Sequence, residues 1–268
     1  MTQRGHALAS VILPIREGEG IAWLALEGLA RQLSIAPPWE LLIGEETCGE
    51  HVFGECAIRE WEPRLRAAGM VHLSYRAYVE PCTLGEKVWD LTNSAAQSSV
   101  ATIYQGCDDL PHPQRLSSSY RNLLRMPLYQ ERAGMYLDLG SGRLAMYDAE
   151  LAVKQGPRGK TRRRAHLNMA IQTRIVRQFA RVLAVDQQTD TAFFERTKGL
   201  VELAGETFHW YETGMWRGGI WTHGRGHVIG EHRGRMIREC LPPFRAVDQA
   251  RHGVPEDIWA RLQGLCPQ

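Results

Sequence analysis

Residues 100–109, VATIYQGCDD, decide how this chain is read. Val100 to Tyr104 is a short run of apolar, β-branched and aromatic residues, the composition of a buried strand. It continues without a break into Gln105, Gly106, Cys107, Asp108 and Asp109, so two carboxylates stand where a buried strand ends. Upstream, residues 9–14 (ASVILP) form a similar run, broken by Gly18 and Gly20. Residues 21–33 carry Ile21, Leu24, Leu26, Leu29 and Leu33 at near-helical spacing, and Pro37 and Pro38 stop them. Residues 39–44 are a second apolar run, followed by Glu45 and Glu46. The pattern then predicts a helix over 58–68, a strand over 71–75 and a helix over 87–97. Strand and helix therefore alternate up to the fourth strand at 100–104. That order predicts an α/β domain with a mainly parallel sheet flanked by helices. In such sheets ligands bind beyond the carboxyl ends of the strands. Arg16-Glu17, Glu45-Glu46 and Asp108-Asp109 each follow a strand and can converge there.

The remainder is less regular. A helix is expected over 116–126 and a strand pair over 135–147 around Gly140-Ser141-Gly142. Residues 154–164, KQGPRGKTRRR, are a basic loop. Residues 169–179 fit either a strand or a helix, and 191–203 a helix. Residues 213–235 are rich in Gly, His and Arg. A Pro-Pro turn after Leu241 and a helix near 255–265 complete the chain.

Bulk composition narrows the class. The 268 residues are 44% hydrophobic and 23% charged, as expected of a packed globular protein rather than a disordered one. A formal net charge of +2 does not by itself call for a nucleic-acid partner. The first twenty residues show no signal-peptide pattern. No run approaches the roughly 20 apolar residues of a membrane span, so the expected location is the cytoplasm. The six cysteines include no CxxC pair and fit neither a zinc ribbon nor a disulfide framework.

Several blocks, in order, resemble the family 2 glycosyltransferases. ASVILPIREGEG resembles that family's first strand and turn, and WELLIGEETC its second strand, which ends in an acidic pair. LGEKVWDLTNSAAQSS resembles the segment with a Gly-Lys pair and a later Asn. VATIYQGCDDLPHPQRL resembles the strand that delivers the DxD motif, followed by a His-Pro and a basic-Leu pair. DQQTDTAFFER resembles the segment that carries the catalytic base. The likeness covers about residues 8–200. This chain departs from the pattern at Gly106, where the first DxD aspartate would stand, at Glu45 and Glu46, which replace aspartates, and at Thr189.

The resemblance implies a GT-A fold with a mixed, acceptor-side second half. Residues 1–115 would bind the nucleotide sugar, 116–240 would bind acceptor and carry catalysis, and 241–268 would be a C-terminal tail. The implied reaction moves a sugar from a nucleotide diphosphate donor, a UDP-sugar in the first instance, to an acceptor hydroxyl with inversion. Mn2+ or Mg2+ would assist, since either takes oxygen ligands. The implied metal ligands are Asp108 and Asp109, with His227 completing the set. Against this, Asp-Asp-Leu-Pro also reads as a plain turn. Pro14, Arg16, Glu45, Glu46, Lys87, Gly106, Cys107, Asp108 and Arg163 would line the donor, Glu45 and Glu46 by accepting hydrogen bonds from its base.

Asp190 is the implied base, which removes the acceptor proton. It also precedes a helix and can cap it. Trp210, Trp216 and Trp221 either stack on sugars or pack in the core. The Gly-rich spacing around His223, His227 and His232 is not that of a helical zinc motif. The basic loop, with Lys154, Arg158, Lys160, Arg162, Arg163 and Arg164, suits either the donor diphosphate or a polyanionic acceptor such as DNA. The acceptor stays open between a saccharide and modified DNA bases. An inactive nucleotide-binding protein of the same fold is the other alternative.

Overall fold

The computed structural model of the protein describes residues 6–16, 21–33, 36–49, 52–130, 133–138, 141–148, 169–179, 220–223, 239, 244–246 and 256–264. Asp190, His227, Arg163, the basic loop 154–164, the helix expected over 191–203, Trp210 and Trp216 lie outside them.

The elements follow the alternation of the sequence. They are β1 (Ala9–Ile15), α1 (Trp23–Ala30), β2 (Trp39–Glu46), α2 (Glu55–Glu60), α3 (Glu62–Ala67), β3 (Met70–Tyr78), α4 (Leu84–Asn93) and β4 (Ala101–Tyr104). After these come the two-residue β5 (Asp109–Leu110), α5 (Arg115–Leu123), β6 (Leu128–Gln130), β7 (Ala133–Asp138) and β8 (Arg143–Asp148). The last are β9 (Met169–Gln172), α6 (Thr173–Phe179), β10 (Ile220–His223), β11 (Phe244–Ala246) and α7 (Glu256–Gln263).

One sheet runs in the order β3-β2-β1-β4-β9-β6. The pairs β2–β3, β1–β2 and β1–β4 are parallel, whereas β9 runs antiparallel to both β4 and β6. Side chains of a strand alternate between its two faces, and the core divides accordingly. Val11, Leu13, Ile15, Leu41, Ile43 and Ile103 lie in one buried cluster with Leu26 and Leu29 of α1, Leu65 of α3 and Leu116 of α5. Ile12, Leu42 and Tyr104 lie in another, with Val88 and Leu91 of α4 and Ile175 and Val176 of α6. Burial on both faces explains why β1 and β2 read as continuous apolar runs rather than alternating ones.

Two compact units make up the chain, each discontinuous in sequence, whereas the sequence reading divides it into contiguous stretches. The first comprises Met1–Glu131 with Ala165–Tyr211, and the second Arg132–Arg164 with Glu212–Gln268. In the second unit β7 and β8 form an antiparallel hairpin, with β11 antiparallel to β8 and β10 parallel to β7. The hairpin turn is closed on Asp138, whose carbonyl accepts from Gly142 N at 2.8 Å and whose carboxylate accepts from Ser141 Oγ at 2.5 Å.

Three elements depart from the sequence reading. The single helix expected over 58–68 is two, α2 and α3, meeting at Trp61, with Pro63 in the first turn of the second. Proline has no N–H to continue the ladder and is tolerated only in a first turn. The helix expected from residue 87 begins at Leu84, because Thr83 and Glu86 form a reciprocal capping box. The ambiguous stretch 169–179 is both kinds of structure, β9 and then α6. Within the Gly/His-rich 213–235, residues Ile220–His223 form a strand.

Candidate active site

The carboxyl ends of β1, β2 and β4 deliver the polar groups of the first unit to one edge of its sheet. Glu46, 7% exposed, is the centre of charge there. Its Oε2 accepts from Lys87 Nζ at 2.9 Å and lies 3.4 Å from Arg16 Nε, and its Oε1 accepts from Cys82 N at 3.1 Å. Burial opposes ionisation of Glu46. The Lys87 hydrogen bond, the Cys82 amide and the charges of Lys87 and Arg16 outweigh that and hold the carboxyl below the ordinary glutamate range. Lys87, 2% exposed, also donates to the carbonyl of Ile15 at 3.4 Å, which ties α4 to the end of β1. Arg16 is the exposed member of the group, with 70% of its side chain open to solvent.

Glu45 does something different from Glu46, although the two are adjacent. It accepts from Phe53 N at 2.6 Å, Gly54 N at 2.9 Å and the Tyr75 hydroxyl at 2.9 Å. Burial and the Glu45 carboxylate push the Tyr75 hydroxyl well above its ordinary pKa. Strand alternation is the reason for the split. β2 runs through Glu46, so consecutive glutamates face opposite sides of the sheet. Glu45 braces the return to α2, while Glu46 meets Arg16 and Lys87.

The acidic turn follows β4. Gln105 N continues the ladder to Ile12 O at 3.0 Å, and its buried carboxamide donates to the carbonyls of Gly106 at 3.0 Å and Asp109 at 3.2 Å. That side chain staples both ends of the turn. Gly106 occupies the position where the sequence reading notes a missing aspartate. A Cβ built there would stand 2.5 Å from Asp109 Oδ2 and 3.2 Å from Asp108 Oδ1. The two carboxylates thus converge on the space a side chain would fill. Asp109 is 8% exposed. Cys107 packs against the core beside the Arg16 backbone, whose N–H offsets part of the burial and Asp108 charge that together push its thiol pKa up. The thiol thus lies between the residue that follows β1 and the turn.

A continuous set of contacts therefore joins Lys87, Glu46, Arg16, Cys107 and the aspartate turn, with Pro14 buried in β1 just before Arg16. Glu45 points elsewhere. Two carboxylates offer the hard oxygen donors that Mg2+ or Mn2+ takes. Among the described residues no group of three or more His, Cys, Asp or Glu side chains is arranged to hold a metal ion. No helix of the described residues is long and apolar enough to cross a membrane.

Two residues around the turn, Gln32 and Gly28, carry no motif signal. Gln32, two residues beyond the end of α1, is 5% exposed and bonded to the segment after the turn. Gly28 admits Pro111 against α1. Arg115, noted in sequence only as part of a basic-Leu pair, opens α5 and is 1% exposed.

No family model matches the chain, and no curated protein matches it in sequence. Solved structures do match. S. aureus TarS 1-349 in complex with UDP-GlcNAc superposes with a TM-score of 0.56 at 12% identity, over 82% of this chain and 59% of that one. This chain thus spans about three-fifths of that structure's length. Mannosyltransferase PcManGT from Pyrobaculum calidifontis, in complex with GDP-Man and Mn2+, superposes with a TM-score of 0.51 at 13% identity, over 96% of this chain and 69% of that one. The likeness and the strand order together identify the fold of this chain as the GT-A fold of glycosyltransferases.

Proposed function

We propose that this chain transfers a sugar from a nucleotide diphosphate donor to an acceptor hydroxyl. The observation that carries the reading is the joining of Arg16, Glu46, Lys87 and Cys107 to the Asp108-Asp109 turn at the carboxyl ends of three parallel strands. That is where an open α/β sheet binds ligands. The two comparison structures contain UDP-GlcNAc and GDP-Man, donors of this class.

In the reaction, the bond from the sugar carbon to the diphosphate oxygen breaks and a bond from the acceptor oxygen forms. The electron pair leaves with the diphosphate. A divalent cation, when bound, would supply neutralisation of the charge that grows on that leaving group. Asp108 and Asp109 are the residues that would hold it, with His227 as a further ligand. Arg16 is exposed and cationic and suits a phosphate oxygen. Glu46 accepts from the donor's ribose or base, held in place by Lys87. Pro14, Gly106 and Cys107 line the donor with backbone and small side chains, and Arg163 in the basic loop meets the diphosphate. Asp190 takes the acceptor proton in an inverting displacement. Glu45 is assigned as a positioning residue, through the strand return it braces.

The test begins with thermal shift and calorimetry using UDP, GDP and their sugars, with and without Mn2+. Binding of a nucleotide diphosphate and slow release of free nucleotide from a nucleotide sugar are expected. If none of these ligands binds, the reading fails. Asp190→Asn should abolish transfer and leave donor affinity intact. Full activity in that variant would remove Asp190 from the mechanism.

A further inference from the structure

The segment that follows the acidic turn is held by α1 and the residues just after it, chiefly through the Gln32 carboxamide. The first turn of α5 needs acceptors for its leading N–H groups. Its cap residue, Gln114, supplies no side-chain hydrogen bond. Gln32, 84 residues before Leu116, supplies one, with Oε1 accepting from Leu116 N at 2.9 Å. The Nε2 of the same side chain donates to His112 O at 2.9 Å and to Gly28 O at 2.9 Å. Next to it, Leu33 N donates to Pro113 O at 3.0 Å. At Gly28 a Cβ would overlap the ring of Pro111 and lie 2.7 Å from its carbonyl oxygen. Residues 111–116 are thus seated on α1 at Pro111 and on the two residues beyond its cap, Gln32 and Leu33, at His112, Pro113 and Leu116. Gln105 grips the same turn from the sheet side. The aspartate pair hangs between these two grips.

We propose that Gln32 is a positioning residue for the Asp108-Asp109 turn, and that its carboxamide sets the carboxylates toward a cation-bound diphosphate. The proposal rests on the donor-binding reading above. An amide is suited to this place because it donates to two carbonyls and accepts from one N–H at once. A carboxylate would keep the acceptor and face the carbonyls of Gly28 and His112 with no hydrogen to offer. Removing a group that orients a metal ligand typically lowers metal affinity about tenfold to a hundredfold.

The experiment uses the full chain and compares wild type, Gln32→Ala, Gln32→Glu and Gln32→Asn. Hydrogen exchange in segment 106–116 is the first readout and needs no ligand. Faster exchange there in Q32A and Q32E, with the β1–β3 region unchanged, is expected. Unchanged exchange in 106–116 overturns the clamp, whatever the nucleotide data. The second readout is the factor by which Mn2+ raises affinity for UDP or GDP. It should fall about tenfold or more in Q32A, while cation-free affinity for the nucleotide stays within about twofold. If both affinities fall together, or the Tm collapses along with exchange protection everywhere, Gln32 is merely structural and the proposal is wrong. Wild type that binds no nucleotide diphosphate refutes the donor reading instead, and is told apart because the exchange result still stands.

Discussion

At the scale of single residues, the site turns on which groups are already committed to partners. Glu46 and Lys87 form a buried ion pair, and such a pair is far costlier to break than to replace. Glu46→Ala leaves the Lys87 ammonium buried beside the Ile15 carbonyl with its carboxylate removed. A loss of about 3–5 kcal/mol in urea unfolding is expected. The same residue gives a pH signature. The folded pKa of Glu46 lies below its unfolded value, so its stabilisation is fully present above the ordinary glutamate value of about 4.3. It is lost as pH falls through the folded value. Glu46→Ala should therefore flatten the acid limb of stability against pH, and an unchanged limb would disprove the assignment. At the turn, Asp108→Asn should lower Mn2+-dependent nucleotide affinity by more than about tenfold, the least that even an indirect change usually costs a metal site. Isothermal titration measures it. These residues differ in how far sequence reveals them. Asp108 and Asp109 are visible because a buried strand runs into them. The role of Gly106 is not, because the reason for a glycine is the position of two carboxylates that fold back over it.

At the scale of elements, α1 and α4 position the site and each offers a decisive substitution. Glycine inside a helix normally costs about 0.5–1 kcal/mol relative to alanine. Gly28→Ala would therefore stabilise α1 if only helix propensity mattered. Pro111 reverses the sign, because the new methyl must displace both the ring and its carbonyl. Overpacking of that kind costs about 1–3 kcal/mol, so net destabilisation is expected in chemical denaturation. A gain in stability would mean that Pro111 is not seated on α1. For α4, Thr83→Ala removes the capping box ahead of Lys87 and should cost about 1 kcal/mol. The Thr83-x-x-Glu86 spacing was there to be read, whereas an apolar pattern alone starts the helix three residues late. Pro63 was equally visible. Its consequence, two helices instead of one, is local and follows from the missing N–H. The Gln32 link differs, because nothing in the local sequence says which distant N–H a side chain just past a helix end will cap.

At the scale of the whole molecule, binding of a nucleotide diphosphate should stabilise the fold. A ligand that binds only the folded state stabilises it by about 2.7 kcal/mol at a hundredfold excess over Kd. For a chain of this size that raises Tm by about 5–10 °C. UDP or GDP with Mn2+ should produce such a shift, and a flat response at saturating concentration would count against the site. The order of strands and helices in the first hundred residues, the parallel sheet and the acidic turn at its edge were determined by sequence alone. They follow from local rules: apolar runs buried on both faces, proline and glycine breaks, and alternation that forces crossovers. Tertiary structure alone decided which partners Glu45 and Glu46 meet on their two faces, that Lys87 pairs with Glu46 inside the protein, and that Gly28 and Gln32 hold the segment after the turn. Those outcomes depend on which face of β2 each carboxylate meets and on groups up to 84 residues apart coming within hydrogen-bond reach. Hydrogen bonds and close packing act through space, and their partners are set only when the sheet and helices have closed around them.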